Sequence, residues 1–277
     1  MPLLVTSASG ANGDGYGALL AFESDGRPLG VFSDDRRIVD PRGLAVEPAA
    51  RLLFLNSADR VLALDASGEV VRDTGEIAGL NPGGGLFGPD GRYYAGLRTA
   101  RTILALPPDL SGAGEEVLPV GVVPFPRGFG FDAQGRLFLA SGIGPRGEGD
   151  DTIVAFPPSD RTHAARLVAH DPELSPLDLI VAPSGAILVS SEHPFGAPDA
   201  LTTVREYDPE SGRLVRVLSA RGLAAFQRPR GLRFGPGGDL YCVAQDEVVA
   251  FDFTSGRCLG AVVRFPRLHG QALAFLP

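Results

Sequence analysis

The sequence predicts an all-β fold, a six-bladed β-propeller with four antiparallel strands in each blade. Three observations predict it. Short apolar runs alternate with Gly/Pro/Asp turns, a unit of such runs recurs along the chain, and the two chain ends carry complementary parts of one unit. Runs of aliphatic, aromatic and β-branched residues bounded by turn residues read as antiparallel strands rather than helices.

The unit is clearest from Pro229 to Asp252. Gly231-Leu232-Arg233-Phe234 gives a first strand and Gly235-Pro236-Gly237-Gly238 a tight turn. Leu240-Tyr241-Cys242-Val243-Ala244 gives the second strand and Val248-Val249-Ala250-Phe251-Asp252 the third. After Thr254-Ser255-Gly256, the run Gly260-Ala261-Val262-Val263 is the fourth. The same grammar opens at Pro41-Arg42-Gly43-Leu44-Ala45-Val46, at Gly84-Gly85-Leu86-Phe87, at Pro126-Arg127-Gly128-Phe129-Gly130-Phe131 and at Pro176-Leu177-Asp178-Leu179-Ile180-Val181. Third strands repeat as well, as in Leu62-Ala63-Leu64-Asp65, Leu104-Ala105-Leu106-Pro107 and Val154-Ala155-Phe156-Pro157. Counted from 41, 82, 126, 176 and 229, the units are spaced by 41, 44, 50 and 53 residues. A four-stranded period of that length is the signature of a propeller.

The ends complete the ring. Ala272-Leu273-Ala274-Phe275-Leu276-Pro277 reads as a first strand. Leu3-Leu4-Val5-Thr6, Ala18-Leu19-Leu20-Ala21-Phe22 and Gly30-Val31-Phe32 read as the second, third and fourth. One C-terminal strand joining three N-terminal strands removes the exposed sheet edges that invite aggregation. The six units use the whole of residues 1–277, so a single domain is expected.

Composition narrows the function classes. The chain has 277 residues, 44% of them hydrophobic, with 37 Gly and 24 Pro, as a turn-rich all-β protein requires. The net charge of −8 argues against a general affinity for nucleic acid or an anionic membrane. There is no run of 18 apolar residues to span a bilayer. Met1-Pro2-Leu3-Leu4-Val5 lacks a basic segment and a long apolar core, so no secretory signal is read and a cytoplasmic monomer is expected. Cys242 and Cys258 lie on the second and fourth strands of one blade, about 9–10 Å apart and too far to bridge. All 25 basic side chains are arginine, which points to a GC-rich bacterial genome and excludes a lysine Schiff base or lysine general base. No Walker, Rossmann, Cys-x-x-Cys, His-Glu-x-x-His or Gly-x-Ser-x-Gly motif is present. Asn12-Gly13-Asp14-Gly15 lacks the later acidic partner of a calcium loop and reads as a turn.

Pro-Arg-Gly-Leu-Ala-Val at 41–46, an aliphatic strand after Pro-x-Gly and then a Gly turn, resembles NHL-repeat propellers. It is also similar to the SMP-30/gluconolactonase-like proteins, the strictosidine synthase-like propellers and the streptogramin lyases. That resemblance implies the six-bladed fold and leaves function open between hydrolases, lyases, condensing enzymes and binding modules. It also implies a functional face, built by the loops entering each innermost strand and those joining second to third strands. Gluconolactonase-like members hold a divalent metal there through Glu, Asn and Asp. At those places this chain has Arg or Gly, with Asp178 the one stand-in and Asn81 two residues off. No metal ligand set is assigned, and a Ca or Zn ion is left open by the resemblance alone.

On that face the residue before the innermost-strand glycine position is Arg42, Gly83, Arg127, Leu177, Arg230 and Gln271 around the ring. Arginine at alternate blades would converge on a bound carboxylate or phosphate. The competing reading is that Pro-Arg-Gly is the repeat's idiom and each Arg pairs locally. Asp178 stands where most blades have glycine, as a hydrogen-bond anchor or a ligand contact. The inter-strand loops Ser7 to Tyr16, Gly96 to Arg101, Gly142 to Asp151 and Ser190 to Thr202 are read as long, hence functional or mobile. His170, His193 and His269 fall on this face and His163 on the other. Each histidine alone reads as a solvated loop residue; His193 beside Glu192 is the expected acid/base pair, with Arg42, Arg127, Arg230, Asp178, Gln271 and His269 as substrate contacts. Two readings follow: a hydrolase or lyase acting on an anionic or carbonyl-bearing small molecule, or a non-catalytic ligand- or protein-binding propeller.

Overall fold

The computed structural model describes residues 1–8, 16–49, 51–80, 82–142, 149–158, 161 and 165–277. The Asn12–Gly15 turn, Asn81, His163 and most of the loops 7–16 and 142–151 lie outside the described residues.

Six four-stranded antiparallel sheets form the ring, and no helix occurs among the described residues. Blade 1 joins the two ends: β1 (Leu3–Ser7), β2 (Ala18–Phe22) and β3 (Pro28–Ser33) follow β24 (Gly270–Phe275) in the sheet order. Blade 2 holds β4 (Arg42–Val46), β5 (Leu53–Ser57), β6 (Arg60–Leu64) and β7 (Val70–Asp73). Blade 3 holds β8 (Pro82–Phe87), β9 (Tyr93–Leu97), β10 (Thr102–Leu106) and β11 (Glu115–Glu116). Blade 4 runs through β12 (Pro126–Phe131), β13 (Leu137–Ser141), β14 (Thr152–Phe156) and β15 (Arg166–His170). Blade 5 runs through β16 (Pro176–Val181), β17 (Ile187–His193), β18 (Leu201–Tyr207) and β19 (Leu214–Leu218). Blade 6 has β20 (Leu232–Phe234), β21 (Leu240–Val243), β22 (Glu247–Phe251) and β23 (Cys258–Arg264).

The closure expected from the chain ends is the one found: Leu3, Leu4 and Val5 pair with Phe275, Ala274 and Leu273. Two loops are shorter than the sequence implies. β9 extends into Gly96–Arg101 as far as Leu97 and leaves four residues to turn before β10, and β17 and β18 extend into Ser190–Thr202 from both sides. Cys242 and Cys258 are both free and buried.

Blades pack face to face, so the middle strands are covered on both sides. β1, β5, β9 and β13 are buried at every position, and their sequences read as apolar runs without alternation. Outer strands such as β3 and β19 are largely exposed. The core is a set of layers between blades. Leu4, Leu19 and Ala274 of blade 1 meet Leu44, Leu55 and Leu62 of blade 2, and Val243, Val248 and Val263 of blade 6 meet Leu3, Val5 and Leu273. That last layer seals the ring.

Candidate ligand-binding site

The repeat idiom Pro-Arg-Gly has a steric cause. The innermost strands approach so closely that a Cβ on Gly128 would lie 2.0 Å from the Leu179 nitrogen, and one on Gly43 would lie 2.6 Å from the Gly85 nitrogen. Glycine is therefore obligatory there. The pairing register slips at the same place, between Arg42 and Leu44 and between Pro126 and Phe129. Such a bulge re-aims one side chain, and here it carries Arg42 and Arg127 to the channel mouth.

Hydroxyls at the ends of the second strands hold these entering segments. Ser57 Oγ accepts the Val39 N–H at 2.8 Å, Ser141 Oγ the Phe125 N–H at 3.1 Å and Ser191 Oγ the Ser175 N–H at 3.0 Å. Ser190 Oγ accepts from Asp178 N and donates to the Arg230 carbonyl, tying blade 5 to blade 6.

The channel mouth widens into a cavity of about 710 Å³. Six arginines among the described residues line it: Arg42, Arg98, Arg101, Arg127, Arg230 and Arg233. Asp178 is the one carboxylate on the lining among the described residues, with Gln271, Thr99, Phe125 and Phe195 on the polar and aromatic wall. Carboxylates stand behind some of these arginines: Arg42 meets Asp40 at 3.2 Å, and Arg230 meets Glu192 at 3.2 Å. Both sequence readings of the ring thus hold part of the geometry, because Arg42 and Arg230 pair locally and still face a common space.

The electrostatic consequence is crowding of like charge. Burial, then Arg42 and Arg230, push the Arg127 guanidinium down to about 10. Burial, then Arg127 and Arg42, push Arg98 down to about 10 as well, against the weaker pull of Asp40. Arg230 is also lowered, mainly by burial, although Glu192 opposes the shift. Arg98 makes no side-chain hydrogen bond or ion pair among the described residues.

Arg233 closes the inner end. It donates to the Leu232 carbonyl at 2.6 Å, to Leu44 O at 3.1 Å and to Gly85 O at 3.3 Å, reaching from blade 6 to blades 2 and 3. Asp178 lies 3.5 Å from it and accepts the Leu232 N–H at 2.9 Å. Asp178 is thus a hydrogen-bond anchor on the cavity wall, and burial raises its carboxyl while Arg233 opposes the rise.

The histidines lie elsewhere. β17 stays extended through His193, so Glu192 and His193 occupy opposite faces of the strand. Glu192 is buried and faces Arg230 of blade 6. His193 has its Nδ1 3.2 Å from Ser175 Oγ and lies outside the cavity lining. The expected acid/base pair is not assembled, for this reason of strand alternation. His170 and His269 are exposed and likewise outside the lining, while Gln271 lines it and donates to the His269 carbonyl at 3.3 Å.

Arg98, Arg101, Phe125, Phe195 and Arg233 line the cavity without having been assigned to it from the sequence. Arg98 and Arg101 sit on the β9–β10 turn, and Phe125 and Phe195 flank Arg101 and Arg127, whose guanidinium carbons lie 5.5 Å and 5.9 Å from the ring centroids. Arg233 had a legible signal. Its register position holds Ala45, Leu86, Gly130, Ile180 and Ala274 in the other blades. A divalent cation does not fit this lining: six guanidiniums repel it, Asp178 is engaged, and no group of three or more His, Cys, Asp or Glu suited to a metal occurs among the described residues.

No family model matches the chain, and a search of curated proteins finds no match. Solved structures are similar in fold. A chain of the nidogen/laminin complex superposes with a TM-score of 0.74 at 15% identity, covering 98% of this chain and 96% of that one. A gluconolactonase from Xanthomonas campestris gives 0.66 at 19% identity, covering 99% and 88%. Streptogramin B lyase gives 0.62 at 15% identity, covering 84% and 72%. These neighbours include several of the propeller classes that the repeat idiom resembles, and at such identities the likeness establishes the fold alone.

Proposed function

We propose that the protein binds a small anionic molecule in its central cavity. The observation that carries this reading is Arg98, a half-buried guanidinium on the cavity wall among Arg127, Arg42 and Arg230 with no side-chain partner among the described residues. Like charges held together at partial burial are costly in the empty protein, and an anion between them removes that cost. Carboxylates and phosphates suit the planar, forked geometry of guanidinium.

A binding role is favoured over His/Glu acid–base catalysis because Glu192 is committed to Arg230 and His193 faces Ser175. The fold likeness to a gluconolactonase and a lyase supplies no residue of this chain with a reacting role. The test is calorimetric titration with inorganic pyrophosphate, citrate and uncharged glucose at low and at 0.3 M salt. The two anions should bind, more weakly at the higher salt, and glucose should not. Absence of binding by either anion at low salt overturns the reading.

A further inference from the structure

The cavity carries more than charge. Six guanidiniums face three carboxylates among the described residues, Asp178 on the wall with Asp40 and Glu192 behind it. A single carboxylate on the ligand would leave most of that imbalance in place. A phosphate monoester brings about −1.5 to −2 charges and three acceptor oxygens, enough to engage several forks at once.

The second observation is aromatic. Phe195 is 41% exposed although it lines the cavity, and its ring lies beneath the Arg127 guanidinium. Phe125, at the entry to the adjacent blade, lies beneath Arg101. An Arg–Phe stack offers a flat, polarisable surface, and the open face of Phe195 has room for another planar group. Phe195 and Arg127 thus join an aromatic platform to the cationic cluster.

We infer that the ligand is a phosphate monoester bearing a planar aromatic ring, of the aryl or nucleoside phosphate class, with the phosphoryl group among Arg42, Arg98, Arg127 and Arg230 and the ring on Phe195. This rests on the anion-binding reading and adds the ligand's class to it. A cavity of about 710 Å³ accommodates a molecule of nucleotide size.

The experiment compares AMP, ribose 5-phosphate and citrate by calorimetry on the full chain, for the wild type and for Phe195→Ala and Phe195→Tyr. AMP should bind about 5- to 150-fold more tightly than ribose 5-phosphate, the range expected for one base stacked on one aromatic ring. Phe195→Ala should reduce that ratio to about twofold or less, and Phe195→Tyr should keep it. Equal affinities for AMP and ribose 5-phosphate in the wild type overturn the ring assignment and leave the anion reading standing. An AMP advantage that survives Phe195→Ala overturns the platform. Citrate binding with neither phosphate bound overturns the phosphoryl assignment, and no binding by any of the three overturns the anion reading itself.

Discussion

Glu192 and Arg230 pair at 3.2 Å across the seam between blades 5 and 6, with Glu192 in the protein interior and Arg230 on the cavity wall. The carboxylate therefore stabilises the seam and at the same time offsets one of the charges that face the ligand.

Removing that carboxylate should move stability and affinity in opposite directions. Glu192→Gln keeps the shape and weakens the charge-assisted bond, at a cost of about 1.5–3 kcal/mol. It also releases the full charge of Arg230 to the cavity, so pyrophosphate should bind more tightly than to the wild type. Denaturant melts and a titration of the same preparation check both signs.

His193 should be dispensable for binding. His193→Ala loses the contact with Ser175 Oγ, worth about 1 kcal/mol, and should leave anion affinity within about twofold of the wild type. A loss of binding of tenfold or more in a folded variant would return His193 to the site.

The ring closure predicts the effect of truncation. Deleting residues 270–277 removes β24, strips β1 of its partner and takes Leu273 out of the layer that joins blades 6 and 1. The truncated chain should lose most of its stability, read by thermal melting. A melting temperature within a few degrees of the full chain would contradict the closure.

The depressed guanidiniums predict two opposite pH slopes. With Arg98 and Arg127 pushed down to about 10, the folded protein sheds protons there that the unfolded chain retains. The unfolded state then binds more protons, so their contribution to stability rises as pH climbs through about 10. Anion affinity runs the other way. It should be flat from pH 7 to 8.5 in these groups and fall above about 10, as the positive charge is lost. Citrate titrations between pH 8.5 and 10.5, where the ligand's own charge is constant, read that fall.

Which parts of this were legible in the sequence follows from what each part depends on. Blade phase is written in local turn chemistry, as in Gly88-Pro89-Asp90-Gly91 before Tyr93, and local chemistry can be read without coordinates. Convergence of Arg42, Arg127 and Arg230 on one space followed from equivalent positions on a closed ring. The placing of Glu192 and His193 on opposite faces was not legible, because strand length decides the side on which adjacent residues emerge and β17 runs further than its composition signals. Arg98 and Arg101 were hidden for the same reason, inside a turn read as a longer loop. Phe195 and Phe125 carried no pattern, since their importance lies in contacts across blades.

Thermal melting of Arg98→Gln, with and without pyrophosphate, tests the central claim most directly. If Arg98 is held on the cavity for an anion, removing it relieves repulsion with Arg127, Arg42 and Arg230. The empty variant should then melt at or above the wild-type temperature, and the rise in melting temperature on adding pyrophosphate should be largely lost. An empty variant that melts well below the wild type and still gains the full pyrophosphate increment would contradict it.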